Sequence, residues 1–95
     1  MGVRLEILCV NKSHGRYPHE TISHIGGYLP DGTNFMFSHE EAINYIEQYF
    51  YDFYIITERR SLGVTIARTM RGKKYLKTII DFDRPINLLK LPECM

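Results

Sequence analysis

Only one stretch of the chain, SHEEAINYIEQYF from Ser38 to Phe50, repeats its apolar residues at helical spacing. Ser38 is a good N-cap, and Glu41 stands three residues on, the spacing of a reciprocal capping box. Glu40 and Glu41 place negative charge at the positive start of the helix. Ala42, Ile43, Ile46, Tyr49 and Phe50 share one stripe, and Asn44, Glu47 and Gln48 face away. The spacing predicts a helix over 39–50. With a single helix signal in 95 residues, most of the remaining apolar side chains must be buried by strands.

Those strands are legible. VRLEILCV, residues 3–10, alternates Val3, Leu5, Ile7 and Cys9 against Arg4 and Glu6, as a half-buried strand does. NKSHGRYPHE has Gly15 and Pro18 and no period, and reads as a loop. TISHIGGYL is a second strand whose Gly26-Gly27 pair marks a bulge or a close backbone approach. PDGT is a turn, with Pro30 presetting φ and Gly32 accepting a positive φ. It joins Gly27–Leu29 to NFMF as a hairpin. FYIIT, LGVTIARTM and KKYLKTIID are strands rich in β-branched and aromatic residues. The last two pair across Met70-Arg71-Gly72, with Gly72 left-handed. That register sets Ile66 opposite Leu76, Val64 opposite Thr78 and Leu62 opposite Ile80. It leaves Tyr75, Lys77 and Lys73 on a polar outer face. The expected class is α+β, one amphipathic helix on a mainly antiparallel sheet of about five or six strands. Pro85 and Pro92 bracket PINLLKLPECM as an ordered, extended apolar tail.

Length makes residues 1–95 one domain, with roughly two thirds of the unfolded surface buried on folding. A net charge of +1 gives no global argument for nucleic acid or an anionic membrane. No apolar run approaches the roughly 20 residues of a membrane span. MGVRLEILCV reads as a first strand and not a signal peptide. Two cysteines without a leader imply a cytoplasmic location and reduced thiols.

Taken in order, ILCVNK, PHETISHIGG, PDGTNFMFSHEEAI, KYLKTIID and NLLKLPEC resemble the domain-of-unknown-function family 3892, from about Leu5 to Cys94. The most specific parts are NLLKLPEC and the PH…I…IGG stretch. The chain departs from the family at DFDRPIN, where a shorter, Gly-containing turn is expected. The resemblance implies a small bacterial or phage protein with a compact α+β domain, and it brings no catalytic residues or cofactor.

The candidate chemistry is correspondingly spare. Cys9 and Cys94 come together if the tail lies beside the first strand, but reduced thiols acting as small buried hydrophobes are the preferred reading. His14, His19 and His24, with Cys9, offer zinc-type ligands at a spacing that fits no common zinc pattern. Neither cysteine precedes a helix, so neither has the usual thiolate activation. Asp81 and Asp83 read as a solvated turn. No GxSxG, P-loop or GxGxxG occurs, and the reading is non-enzymatic, without metal or cofactor. Seven of the twelve Lys and Arg residues fall in 59–77. There Arg68, Arg71, Lys73, Tyr75 and Lys77 form a candidate binding set, in which cations beside an aromatic follow a phosphate backbone. A solvated face whose lysines block edge pairing is the plainer alternative. Surplus tyrosines in YIEQYFYDFY allow a protein partner or a homodimer. The leading expectation is therefore a small binding or adaptor module, a phage-type modulator of a host protein, or a weak nucleic-acid binder. The alternative is a thiol or metal site from Cys9, His19 and Cys94.

Overall fold

A computed structural model describes residues 2–58 and 60–95. The alternating run at the start forms two strands, β1 (Val3–Glu6) and β2 (Cys9–Lys12). Val3, expected on the core face, is exposed; alternation holds at Leu5 and Ile7, both buried, then slips by one, so that Val10 and not Cys9 is fully buried. The slip occurs because the chain changes partner. The Ile7 amide donates to the Tyr54 carbonyl in one sheet (2.8 Å), and the next amide, Leu8, donates to Gly26 in the other (2.9 Å). A period of two persists only while a strand stays in one sheet.

The remaining elements are β3 (Ile22–Tyr28), β4 (Asn34–Ser38), α1 (His39–Glu47), β5 (Tyr51–Thr57), β6 (Arg60–Arg68), β7 (Lys74–Thr78) and α2 (Ile86–Leu89). A four-stranded sheet runs β1-β5-β6-β7 and a three-stranded sheet runs β2-β3-β4. All pairs are antiparallel except β1 with β5. The class is α+β, as expected, but among the described residues seven strands divide between two sheets where one sheet of five or six was anticipated. Both sheets and both helices feed one apolar cluster that includes Leu5, Ile25, Phe53, Leu62, Leu76 and Leu88. Each such side chain contributes on the order of 1.5–3 kcal/mol of burial.

Local chemistry behaves as read. In the first hairpin the Leu29 amide donates to Thr33 (2.8 Å), and Gly32 sits at φ +88. Asp31 accepts from the Thr33 hydroxyl (2.7 Å) and amide (3.0 Å), which hold its carboxyl below its ordinary range. In the second hairpin Ile66 pairs with Leu76 and Val64 with Thr78. Thr69 donates to Lys73 (2.8 Å), which leaves Met70-Arg71-Gly72 as the loop with Gly72 at φ +84. The ladder stops at Thr78, however, and Ile80 is exposed instead of facing Leu62.

Helix α1 starts at its capping box: the Glu41 amide donates to Ser38 Oγ (3.0 Å) and the Ser38 amide to Glu41 Oε1 (2.8 Å). It ends at Glu47, three residues short of expectation, and Tyr49 takes a left-handed φ of 61. Tyr49 and Phe50 therefore leave the stripe and are exposed. Tyr45 and Tyr51 are half-buried instead, packed on Phe37 at ring-centroid distances of 4.8 and 5.7 Å.

The tail is anchored at three levels. Residues 86–89 form a helical turn where extended chain was expected. Four residues cannot hold a helix alone; buried Leu88 and the amide of Asn87 hold this one. Asn87 Nδ2 donates to Asp81 Oδ1 (2.8 Å), and Asp81 Oδ2 accepts from the Thr78 amide (3.1 Å) and hydroxyl (3.0 Å). Asp81 is thus a buried tie between β7 and α2, not part of a solvated turn. The chain then runs beside β2, where the Val10 amide donates to Pro92 (3.0 Å) and the Cys94 amide to Asn11 Oδ1 (3.1 Å). Cys9 and Cys94 close a disulfide, so the expectation of two reduced, buried thiols is overturned. Strand β3 makes room for this junction by lacking side chains: a Cβ on Gly26 would lie 2.8 Å from Cys9 Sγ and 2.9 Å from Cys94 Sγ. A Cβ on Gly27 would strike the Glu6 carbonyl oxygen.

The cross-link spans 85 residues, for which loop-closure entropy gives roughly 4–5 kcal/mol. Reductant should lower the urea midpoint of the wild type to that of Cys94→Ser, and an unmoved midpoint would contradict this. Gly27→Ala, whose clash is with backbone, should cost about 1–3 kcal/mol in the same assay, and a neutral result would mean the strands can spread.

Candidate functional site

The loop after β2 closes into a 3₁₀ turn, Pro18–Glu20, that lies against β7. Pro18 fixes φ at its first position. The Glu20 amide donates to the Tyr17 carbonyl (2.8 Å), and the Thr21 hydroxyl donates to Pro18 (3.0 Å). This brings Arg16 and Tyr17 up to the β6–β7 hairpin. The Tyr17 and His19 rings stack, 5.9 Å apart and 12° from parallel. Between the turn, the hairpin tip and the segment after β7 lies a cavity of about 660 Å³.

Its walls carry five cations, Arg16, Arg68, Arg71, Lys73 and Arg84, against two acids, Glu20 and Asp83. Tyr75 lines it as well, but it is only 3% exposed. Its hydroxyl donates to the Asp83 carbonyl (3.1 Å). Burial, and then the Asp83 and Asp81 carboxylates, raise its pKa and keep it a donor. Tyr75 therefore ties down the cavity wall and presents no stacking surface.

Four of the five residues singled out on the basic hairpin, Arg68, Arg71, Lys73 and Tyr75, meet at this cavity. Lys77 does not: its Nζ donates to the Asp81 (2.6 Å) and Phe82 (2.8 Å) carbonyls and pins the turn that follows β7. Lys74 pairs with Glu47 of α1. Arg59, counted in the basic run, lies outside the described residues. Cys9 and Cys94 bond to each other, whereas His19 faces a cavity with no cysteine in its walls. His24 Nδ1 is 3.1 Å from Ser23 Oγ on β3. Among the described residues no group of three or more His, Cys, Asp or Glu side chains is placed to hold a metal.

Three contributors were not singled out from the sequence: Arg16, Tyr17 and Arg84. Arg16-Tyr17-Pro18-His19 does carry a local signal, a cation and a ring ahead of a fixed φ. Its pairing with a hairpin fifty residues later is tertiary. His39 was also missed. It sits at the start of α1, where it reads as a solvated first-turn residue. It is buried instead, and its Nε2 accepts the Leu76 amide (3.0 Å). Accepting at Nε2 requires that nitrogen to be unprotonated. Burial, then the neighbouring His19, lower its pKa to about 4. A second, shallower cavity of about 930 Å³ runs between His14, His19 and His39 and the outer face of α1.

Fold and site together define a small two-sheet α+β domain with a cationic, aromatic-walled cleft at one hairpin. The family model described as "Protein of unknown function (DUF3892)" matches residues 6–92, nearly the whole chain, and the chain belongs to that family. Comparisons with curated proteins and with solved structures find no match.

The lowered pKa of His39 has a signed consequence. The unfolded chain protonates near 6.5 and the folded one only near 4. Above pH 6.5 neither form is charged and the shift has no effect on stability. As pH falls through this window the unfolded state binds the extra proton, and about 3 kcal/mol of stability is lost. His39→Gln should lose distinctly less than wild type between pH 7.5 and 4.5 in urea titrations; equal losses would show that His39 is not the group responsible.

Proposed function

We propose that this protein is a small non-enzymatic binding module whose ligand is an anion held in the cleft between the 3₁₀ turn and the β6–β7 hairpin. One observation carries this reading. Five of the chain's twelve Lys and Arg residues converge on one cavity, although the chain as a whole is near neutral. They arrive from three separate segments: Arg16 before the turn, Arg68, Arg71 and Lys73 at the hairpin, and Arg84 after β7. Gathering like charges costs stability through their mutual repulsion. An anion in the cleft relieves that cost, and arginine forks suit carboxylate or phosphate oxygens.

The site is open to water, so its attraction is screened over about 8–10 Å at ordinary salt. The two acids in its walls reduce it further. Binding is therefore expected to be moderate and strongly salt-dependent. The Cys9–Cys94 disulfide suits an oxidising compartment better than the reducing, cytoplasmic one anticipated from the sequence.

Retention on immobilised heparin tests the reading with charge held constant. Arg68→Glu/Arg71→Glu should elute at much lower salt than wild type. Lys12→Glu/Lys90→Glu changes net charge equally at exposed positions outside the cleft, and should elute close to wild type. Equal shifts in the two variants would show that retention follows net charge alone and would remove the cleft as the site.

A further inference from the structure

We infer that the anion is single-stranded nucleic acid, with backbone phosphates on Arg68, Arg71 and Lys73 and one base laid on the ring of Tyr17. This rests on the cleft being the anion site and adds the class of ligand.

The reason is the aromatic wall. Tyr17 is 58% exposed, and His19 lies stacked beside it. A ring left that exposed among cations does nothing for a simple phosphate or carboxylate. A nucleotide has use for both features, because its phosphate takes the cations and its base has a flat face to stack. The platform is also held in advance of binding. The Tyr17 carbonyl accepts from Glu20 (2.8 Å), its amide is 3.4 Å from Glu20 Oε1, and Pro18 follows it. The backbone that carries the ring therefore has little freedom left to lose when a base arrives.

The dimensions point the same way. About 660 Å³ is within the range of sites that take a small molecule, and holds a nucleotide or two. A duplex keeps its base faces inside its own stack and has none to offer a surface tyrosine, whereas bases of a single strand splay out readily. The hairpin cations share one cavity with the ring, which suits a short stretch of strand.

The test is fluorescence anisotropy at low salt with the intact, oxidised protein. The probes are labelled (dU)8, labelled (U)8 and a labelled mixed-sequence duplex long enough to stay paired at low salt. Either single strand should bind at least about five-fold tighter than the duplex, and the tighter of the two identifies the preferred sugar. Tyr17→Ala should weaken the single strand by about 5- to 150-fold, the range for stacking one base. Tyr17→Phe should restore it, and heparin retention should be unchanged in both variants. If duplex and single strand bind equally, or Tyr17→Ala is silent while heparin retention still depends on Arg68 and Arg71, the nucleic-acid inference falls and the anion site stands. If retention does not depend on those arginines, the anion site itself falls.

Discussion

The structure turns on the step between Ile7 and Leu8, where consecutive amides bond to different sheets. One chain segment thereby stitches the four-stranded sheet to the three-stranded one. Everything near this crossing must come unusually close. The Glu6 carbonyl reaches β3 at Gly27 and the disulfide sulfurs reach it at Gly26, so close approach, of backbone at one glycine and of sulfur at the other, demands the pair, not turn geometry. The same crossing leaves Cys9 at the margin of the core, where a returning tail can meet it. Burial on both sides of the step, with Leu5 and Ile7 before it and Val10 after it, fixes the crossing in the core.

The C-terminal segment completes this arrangement. It has little regular structure of its own and is held by partners from elsewhere in the chain. Leu88 fills the core, Asn87 bonds the buried Asp81, Pro92 accepts from β2, and Cys94 closes the disulfide. The DFDRPIN segment is clamped as well. Lys77 holds its Asp81 and Phe82 carbonyls and Tyr75 holds Asp83. These bonds use polar side chains that on sequence grounds looked like solvated surface. Their use in holding the turn is what places Asp83 and Arg84 at the cleft.

Electrostatically the molecule is uneven in a way that its net charge conceals. Cations collect at the hairpin end and on the turn facing it, while Glu40 and Glu47 lie on the exposed side of α1. His39, buried and neutral, stands between these regions and bonds the Leu76 amide of β7. Its neutrality follows from desolvation, and it ties the start of the helix to the strand whose Tyr75 backs the cleft wall.

Local chemistry was readable from the residues alone. The capping box of Ser38 and Glu41, the PDGT turn and the 64–78 hairpin register all follow from interactions within a few residues or across one tight loop. So does the choice of Arg68, Arg71 and Lys73, which one hairpin brings together. What the sequence could not carry was any decision made between distant segments. The alternation in VRLEILCV has no mark where it changes sheets, because both sheets bury one face of the same strand. Cys9 and Cys94 are ordinary small apolar residues until the tail's path sets them side by side. Tyr17 and Arg84 become part of a site only because the turn and the clamped 81–84 segment fold onto the hairpin. Sequence period records which side chains prefer to leave water; which partners they leave it with was decided by tertiary packing.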